Sequence, residues 1–332
     1  MDRARRDSAA TDSAAKDRAA KDRAATHTAE ADRAAPDRAE AERAGTAGAG
    51  VYRAEAARAK ATDMGRRTAL AALGAAGMAA ATAATGFAPA SAASAAAPAP
   101  DAAPRARRRT GPRPPAAWFG AELRRIPTTR KVVALTFNAA WDEAGIDVVL
   151  AELRRRRLPA TFFPTGAFAR AHPAAVRAMA AAHGLGNHSY SHPYFDDLDT
   201  SERQEEVRRA DAAIREASGA EPLPFFRFPY SESTDESVAD VNDLGFAVIE
   251  FTTDTNGYLG PEGGMTVDRV VRRAVDALAP GAVLQMHVGS SNGDGVVLDA
   301  RALPRIIDAA QEAGYGITDL RGFLTDAGGA PD

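Results

Sequence analysis

Apolar positions along the second half of the chain follow two alternating patterns. Short runs of large, branched or aromatic residues, typical of buried strands, alternate with longer segments whose apolar residues recur every three to four positions, as in helices. The strand-like runs cover residues 131–137, 160–163, 224–228, 246–252, 282–286 and 315–320. The helix-like segments cover residues 146–156, 167–182, 201–217, 235–244, 267–278 and 303–313. The pattern therefore predicts one globular α/β domain.

Three residues indicate where these helices begin or end. Ser201 is a candidate N-cap for the helix over residues 201–217, since its hydroxyl can accept a bond from a first-turn N–H. Pro173 fits a first helical turn, where its missing N–H is not needed. Gly245 is expected to stop the helix that precedes it.

The alternation of strand and helix predicts a mainly parallel sheet that closes, or nearly closes, into a distorted (β/α) barrel. In such folds the chemistry lies at the carboxyl ends of the strands. A short extended piece ending at residue 188 adds one more strand end. Polar residues stand at five of these ends: Asn138, His188, Arg227, Asp254 and His287. We therefore expect them to meet in one site.

The first half of the chain has a different composition. Up to about residue 115 it consists largely of Ala, Arg, Asp, Pro and Thr, with almost no large aliphatic residues. Such a segment buries too little apolar surface to offset its conformational entropy. Residues 1–63 are low-complexity and are expected to be disordered or not translated, with Met64 as the true start.

Residues 64–92 resemble a twin-arginine export signal. Arg66 and Arg67 follow Met64, a weakly apolar run of Ala, Gly and Leu comes next, and small-residue cleavage sites lie near residues 90–95. A membrane anchor is disfavoured because the run has few Leu residues. We expect a secreted or cell-wall-associated protein without a stable anchor. Residues 93–125 are interpreted as a linker and residues 126–326 as the catalytic domain.

Charge and cysteine content narrow the functional class. The formal net charge is −3, so the chain lacks the excess of positive charge that is typical of nucleic-acid-binding proteins. The chain has no cysteine, so disulfides, thiolate metal sites and cysteine nucleophiles are excluded. The oligomeric state is not indicated by the sequence.

His188 and His192 are candidate metal ligands. Two imidazoles four residues apart share a face on a helical turn and can bind one divalent ion through neutral nitrogens. The spacing alone is weak, because such pairs are often structural. Ser189 stands where the zinc metalloproteases with two histidines on a helix carry Glu, so that class is disfavoured.

Three further residues fit a hydrolytic site. Arg227 lies within an aromatic strand end, where a buried carboxylate or ligand would explain its charge; the alternative is an Arg that extends to solvent. A carboxylate such as Asp254 can hold a histidine as a proton donor. His287 is the candidate donor, with a hydrogen-bonded core histidine as the alternative.

The order of these motifs resembles the polysaccharide deacetylase family, also called the NodB homology domain or carbohydrate esterase family 4. The resemblance covers residues 131–324, and the histidine pair with the Arg-x-Pro-Tyr motif is its most specific part. The five motifs that carry it are Thr136-Phe137-Asn138, His188-x3-His192, Arg227-x-Pro229-Tyr230, Asp254-x3-Tyr258 and Val283-Leu284-Gln285-Met286-His287.

The resemblance implies a metal-dependent hydrolase that removes acetyl groups from an N-acetylated glycan such as peptidoglycan or a chitin-like polymer. His188 and His192 would bind a divalent ion, with Zn²⁺ expected. Tyr230 would offer a backbone N–H to the oxyanion, and His287 would be the general acid, tuned by Asp254. Arg227 would orient the catalytic base.

The chain departs from the family at the base itself. The family carries Asp-Asp where this chain has Asn138-Ala139, so the usual base and one metal ligand are missing. Asp142 is the candidate for the third ligand or a displaced base, with Glu143 next to it; a loop carboxylate that caps the following helix is the alternative. Gln285, Val288 and Tyr258 mark further divergence.

Three functions remain open from the sequence. The first is an active exported deacetylase. The second is a pseudoenzyme that keeps the groove and binds cell-wall glycan without cleaving it, which Asn138 motivates. The third is a metal-dependent hydrolase of another C–N bond on the same scaffold.

Overall fold

The computed structural model describes residue 111 and residues 113–290 and 293–326. The low-complexity stretch over residues 1–63, the export signal over 64–92 and the first part of the linker lie outside these residues, so the predictions made for them stay predictions. None of the helices in the described part is both long and apolar enough to cross a membrane.

Strands and helices alternate along the chain as the apolar pattern predicts. The strands are β1 (Glu122–Leu123), β2 (Val132–Ala139), β3 (Thr161–Pro164), β4 (Gly184–Leu185), β5 (Phe225–Phe226), β6 (Ala247–Ile249), β7 (Thr253–Asp254), β8 (Ala282–His287) and β9 (Gly316–Thr318). The helices are α1 (Ile146–Arg156), α2 (Gly166–Ala171), α3 (Pro173–Ala180), α4 (Thr200–Ser218), α5 (Asp235–Asp243), α6 (Val267–Asp276), α7 (Leu298–Glu312) and α8 (Leu320–Asp326).

The strands form two parallel sheets that together make a distorted barrel. One sheet has the order β4-β3-β2-β8-β7, with β9 also paired to β2, and the other has the order β1-β6-β5. Isolated bridges join the sheets on both sides, between Asn187 and Phe226 and between Arg125 and Ala282. The predicted fold class is confirmed.

The central strand β2 divides the core into an inner and an outer part. Ala134 belongs to the inner cluster, together with residues of both sheets and of α8. Leu135, Phe137 and Ala139 belong to the outer cluster beneath the helices. Because side chains alternate along a strand, Asn138 faces the barrel interior at the end of this strand.

Two predicted helix boundaries were wrong. The segment over residues 167–182 is two helices, and Pro173 is the first residue of the second. Helix α4 is capped by Asp199 rather than Ser201: the Asp199 carboxylate accepts from the Glu202 backbone N–H, and the Glu202 side chain accepts from the Asp199 N–H. This reciprocal capping box satisfies the N–H groups of the N-cap and of the third helical residue, which the hydroxyl of Ser201 cannot do from inside the helix.

The linker predicted over residues 93–125 extends too far. Residues 122 and 123 form β1, which pairs with β6, and Trp118 is buried against Phe225 with ring centroids 6.1 Å apart. A single Trp in a Pro/Ala-rich segment gives no periodic signal, although its burial anchors this segment to the inner cluster. The folded domain therefore begins before residue 126.

Candidate active site

The carboxyl ends of β2 and β8 bring two of the predicted site residues side by side. Asn138 is the register partner of His287 in this parallel pair. Asn138 is the next-to-last residue of β2 and His287 the last of β8, and both are largely buried, Asn138 at 6% exposure. The sheet therefore sets the position of the degenerate base next to the predicted acid.

Arg227 connects several strand ends and is fully buried. Its Nη1 donates to the Asn138 Oδ1 at 3.0 Å and to the Thr136 Oγ1 at 3.1 Å. Its Nε and Nη2 donate to the backbone carbonyls of Ile249 and Glu250. Burial lowers the pKa of Arg227 to about 10, so the guanidinium stays charged at neutral pH. The sequence-based alternative of an Arg that extends to solvent is excluded by this burial.

Glu250 is a site residue that the sequence analysis missed. It is fully buried, and its Oε1 accepts from the backbone N–H of Phe228 at 3.0 Å. Burial raises the pKa of this carboxyl, while the charge of Arg227 opposes the rise. Glu250 in turn favours the charged form of Arg227. An acidic residue within an apolar strand run was the signal that could have identified it.

His188 and His192 lie together on a loop rather than on the helical turn that their spacing suggested. Ser189 and His192 have positive φ values of 65° and 60°, which no helix allows. Asn187 Oδ1 accepts from the Ser189 N–H, and Ser189 Oγ accepts from the His192 N–H. These bonds hold the loop so that the two imidazoles meet edge to face at 4.8 Å.

Both histidines are held in the neutral form. Burial, and then the neighbouring His192, lower the pKa of His188 well below its usual value. Burial lowers the pKa of His192 to about 3. His188 Nδ1 lies 2.9 Å from the Arg227 carbonyl, which can only accept, so the proton is on Nδ1 and the lone pair on Nε2. His192 Nδ1 is buried with no hydrogen-bond partner among the described residues.

These nitrogens fit two ligand positions of a divalent ion. Neutral imidazole nitrogens are the form that binds metal, and a second hydrogen bond that fixes the tautomer is usual at such sites. Within the described ranges, however, no group of three or more His, Asp or Glu side chains is arranged to hold a metal ion. The chain therefore offers a histidine pair, not a complete set of three protein ligands.

The structure does not bring Asp142 to the histidine pair. Its Oδ1 accepts from the Ala144 N–H at 3.0 Å, and its Oδ2 accepts from the Ser290 N–H at 2.9 Å. Glu143 instead contacts His172, with 3.1 Å between Oε2 and Nδ1. Asp142 is thus a loop carboxylate that joins the β2 and β8 loops, and it does not cap the following helix, whose N-cap is Gly145 without a side-chain bond.

His287 has two carboxylates near its Nδ1. The Oδ1 of Asp254 is 3.9 Å away, and the Oδ2 of Asp299 is 3.7 Å away. Asp254 is fixed by the Gln285 Nε2, which donates to its Oδ2 at 2.8 Å. The Tyr258 ring lies against the imidazole with centroids 4.3 Å apart. Asp254 therefore lies where the sequence predicts it, while Asp299 was not predicted.

Aromatic side chains form one wall of the site. The ring of Tyr230 lies 4.6 Å from His192 and stacks on Tyr194 at 3.9 Å. Trp141 lies 5.3 Å from His192 and is 50% exposed. Tyr230 has a left-handed backbone with φ of 59°, which turns the chain directly after the Arg-x-Pro segment. Such strained residues are concentrated at functional sites.

The neutral histidines make the metal-free protein sensitive to acid. Because the pKa of His192 is about 3 when folded and about 6.5 when unfolded, the unfolded state binds more protons between these values. The stabilising contribution is complete above pH 6.5 and is lost as the pH falls toward 3. Urea denaturation between about pH 7.5 and 4.5 should show a loss of up to about 1.4 kcal/mol per pH unit for each such histidine.

The variant His192→Gln provides the comparison. It removes one of the two titrating groups, so its unfolding free energy should fall less steeply over the same pH range. Equal slopes for the variant and the native chain would contradict a neutral, buried His192.

Comparison with known proteins agrees with this geometry. The Polysaccharide deacetylase profile matches residues 125–249. A chitooligosaccharide deacetylase of Bradyrhizobium sp. (strain ANU 289) is 32% identical over 204 residues, which is 59% of this chain and 91% of the relative. A peptidoglycan-N-acetylglucosamine deacetylase of Bacillus cereus is 26% identical over 195 residues, 58% of this chain and 68% of the relative.

Solved structures agree as well. A pseudoenzyme of carbohydrate esterase family 4 from Bacillus anthracis is 26% identical with a TM-score of 0.56, over 62% of this chain and 69% of that chain. A mutant of that protein with restored enzymatic activity has the same identity and TM-score, over 62% and 71%. The barrel, the order of the motifs and the extent of the matches lead to one conclusion: the chain belongs to the polysaccharide deacetylase family.

Proposed function

We propose that this chain is a hydrolase that removes acetyl groups from N-acetylated amino-sugar glycans of the chitooligosaccharide or peptidoglycan kind. The observation that carries the proposal is the position of Arg227. Its carbonyl accepts from His188, and its guanidinium donates to Asn138, the register partner of His287. Arg227 thus contacts both His188, a proposed metal ligand, and Asn138, which lies at the position of the family's base. Asn138 in turn lies beside His287, the proposed acid.

His287 is the proposed acid of the reaction. His287 lies at a strand end with carboxylates on its Nδ1 side, so its Nε2 is the nitrogen left to meet substrate. In its imidazolium form, a histidine held in this way can deliver the Nε2 proton to the leaving amine of the sugar. The backbone N–H of Tyr230, beside His192, is the proposed donor to the developing oxyanion.

His188 and His192 would hold the divalent ion, as two neutral nitrogen ligands. A bound divalent ion would polarise the acetyl carbonyl and activate the attacking water. The partly exposed indole of Trp141 offers a flat apolar face near the histidine pair, on which a sugar ring can lie. This surface supports recognition of a glycan rather than of a small amide.

Acetate release is the direct test of the proposal. Protein loaded with Zn²⁺ should release acetate from N-acetylglucosamine oligomers or from N-acetylated peptidoglycan. The variant His188→Ala should lose the activity and bind Zn²⁺ more weakly in a calorimetric titration. His172→Gln changes a histidine outside the site and should leave both unchanged. Absence of acetate from every such substrate would reject the proposed deacetylase function.

A second candidate function rests on the neutral base position. Asn138 has an amide where the family carries a carboxylate, and an amide cannot accept the proton of the attacking water. The chain would then bind glycan without cleaving it. Its structural similarity to a pseudoenzyme of the same family supports this alternative. Glycan binding without acetate release would favour it over the first.

We also propose that the mature protein acts outside the cell, on cell-wall or chitin-like glycan. The support is the twin-arginine pattern that follows Met64 in the sequence.

A further inference from the structure

We propose that Asp299 is a positioning residue for His287, and that its carboxylate fixes the Nδ1–H tautomer of this imidazole. The inference rests on the proposed function only in the role that it gives to His287. Asp299 lies outside the five motifs, in the first turn of α7, and its side chain is completely buried.

The carboxylate of Asp299 is held from both sides. Its Oδ2 accepts from the backbone N–H of His287 at 2.9 Å, and its Oδ1 lies 2.6 Å from the Thr255 hydroxyl. It therefore has little rotational freedom. A buried carboxylate with two fixed partners is a preorganised group rather than a mobile counter-charge.

The same oxygen faces the ring of His287. Oδ2 is 3.7 Å from Nδ1, which is buried with no hydrogen-bond partner among the described residues. A carboxylate can only accept, so a small rotation of the ring closes an N–H···O bond with Nδ1 as the donor. Nε2 is then the nitrogen without the proton in the neutral ring. In the imidazolium, the form that can protonate the leaving amine, Nδ1 keeps its bond to Asp299 and Nε2 carries the proton that is transferred.

Asp254 is less suited to this task. Its Oδ1 accepts from the Asn256 N–H at 2.8 Å, its Oδ2 accepts from Gln285, and its Oδ1 is the more distant from the imidazole at 3.9 Å. Asp254 is therefore held by its bonds to Asn256 and Gln285. It lies near Nδ1 of His287 but is not the nearer of the two carboxylates.

The neighbouring residue Gly257 makes room for Asp299. A Cβ at this position would lie 2.3 Å from the Asp299 Oδ1 and 2.4 Å from its Cγ. Any side chain there would displace the carboxylate from His287. The missing side chain at 257 and the buried acid at 299 are thus complementary.

Histidine NMR tests the inference without reference to activity. Nitrogen-15-labelled histidine gives separate Nδ1 and Nε2 signals, and the spectrum of His287→Asn assigns the ring. At a pH where the ring is neutral, the native chain should show Nδ1–H. Asp299→Asn should shift His287 toward the Nε2–H tautomer, because an amide can donate to Nδ1 as well as accept.

Two further variants keep the test decisive. Thr255→Val removes the bond to Oδ1 without changing charge, and Gly257→Ala displaces the carboxylate sterically; both should shift the tautomer in the same direction. His183, buried elsewhere, reports an intact fold by unchanged signals. An unchanged His287 tautomer in all folded variants would overturn the inference.

Activity gives an independent measurement. If the chain releases acetate, Asp299→Asn should lower kcat by at least about tenfold with little change in KM, since it alters the acid and not the binding surface. If the chain releases none, the tautomer result still stands. Failure of the proposed function and failure of this inference are therefore distinguishable.

Discussion

Replacing Asn138 by Asp is expected to raise acetate release by a factor of about 10²–10⁴, the usual contribution of a general base. Arg227 already donates to Oδ1 of this side chain at 3.0 Å, so a carboxylate would occupy the same position with a charge-assisted bond. The other oxygen would replace the amide nitrogen and could accept the proton of water. The measurement is the rate of acetate release from N-acetylglucosamine oligomers at saturating Zn²⁺.

The outcome separates the two candidate functions. A large gain over an inactive native chain identifies the native protein as a glycan-binding pseudoenzyme. A native chain that is active, and that Asn138→Asp slows, identifies a hydrolase that works without a base at this position. Asn138→Ala is the control, because it changes the same side chain without adding a carboxylate. A gain in Asn138→Ala equal to that in Asn138→Asp would show that the added charge is not the cause.

Replacing Arg227 by Met is expected to lower the free energy of unfolding by about 3–5 kcal/mol, the cost of removing a buried charged group and leaving its polar partners unsatisfied. The change removes the positive charge that opposes the burial-driven rise in the pKa of Glu250. It also leaves the carbonyls of Ile249 and Glu250, and the amide of Asn138, without their donor. Urea denaturation of the native and variant proteins measures the loss.

A double-mutant cycle isolates the charge interaction. Glu250→Gln removes the charge at the partner, so Arg227→Met should cost less in that background than in the native chain. The difference is expected to be about 1–3 kcal/mol, typical of residues within one buried network. Strictly additive losses would mean that Arg227 is held by its hydrogen bonds alone and that Glu250 does not balance its charge.

The fold was predictable because its pattern is regular. Strands such as β2 and β8 are continuous apolar runs, and a parallel arrangement then requires their carboxyl ends to meet. Asn138 and His287 were therefore expected in one site from sequence alone, and they are register partners. The irregular parts were harder to predict. The loop of His188 and His192 depends on two residues with left-handed backbone conformations, which the spacing of the histidines does not indicate.

The missed residues are the buried acids. Glu250 and Asp299 are completely buried; the apolar run around Glu250 marks that acid as unusual, but the neighbours of neither residue indicate which group its carboxylate contacts. Asp299 was also hidden because helix α7 contains Pro304, which favours a start near residue 303, whereas the helix begins at residue 298. Three-dimensional packing, not local preference, places these two carboxylates beside Arg227 and His287.

The two tryptophans of the chain differ fully in their surroundings. Trp118 is sealed in the inner cluster, while Trp141 is half-exposed beside the histidine pair. The intrinsic fluorescence therefore has two components. The emission of buried Trp118 serves as an internal reference, and the emission of Trp141 reports on the site. Quenchers in solution reach only the second indole, so occupancy of the site by an ion or a sugar can be followed on the unlabelled native chain.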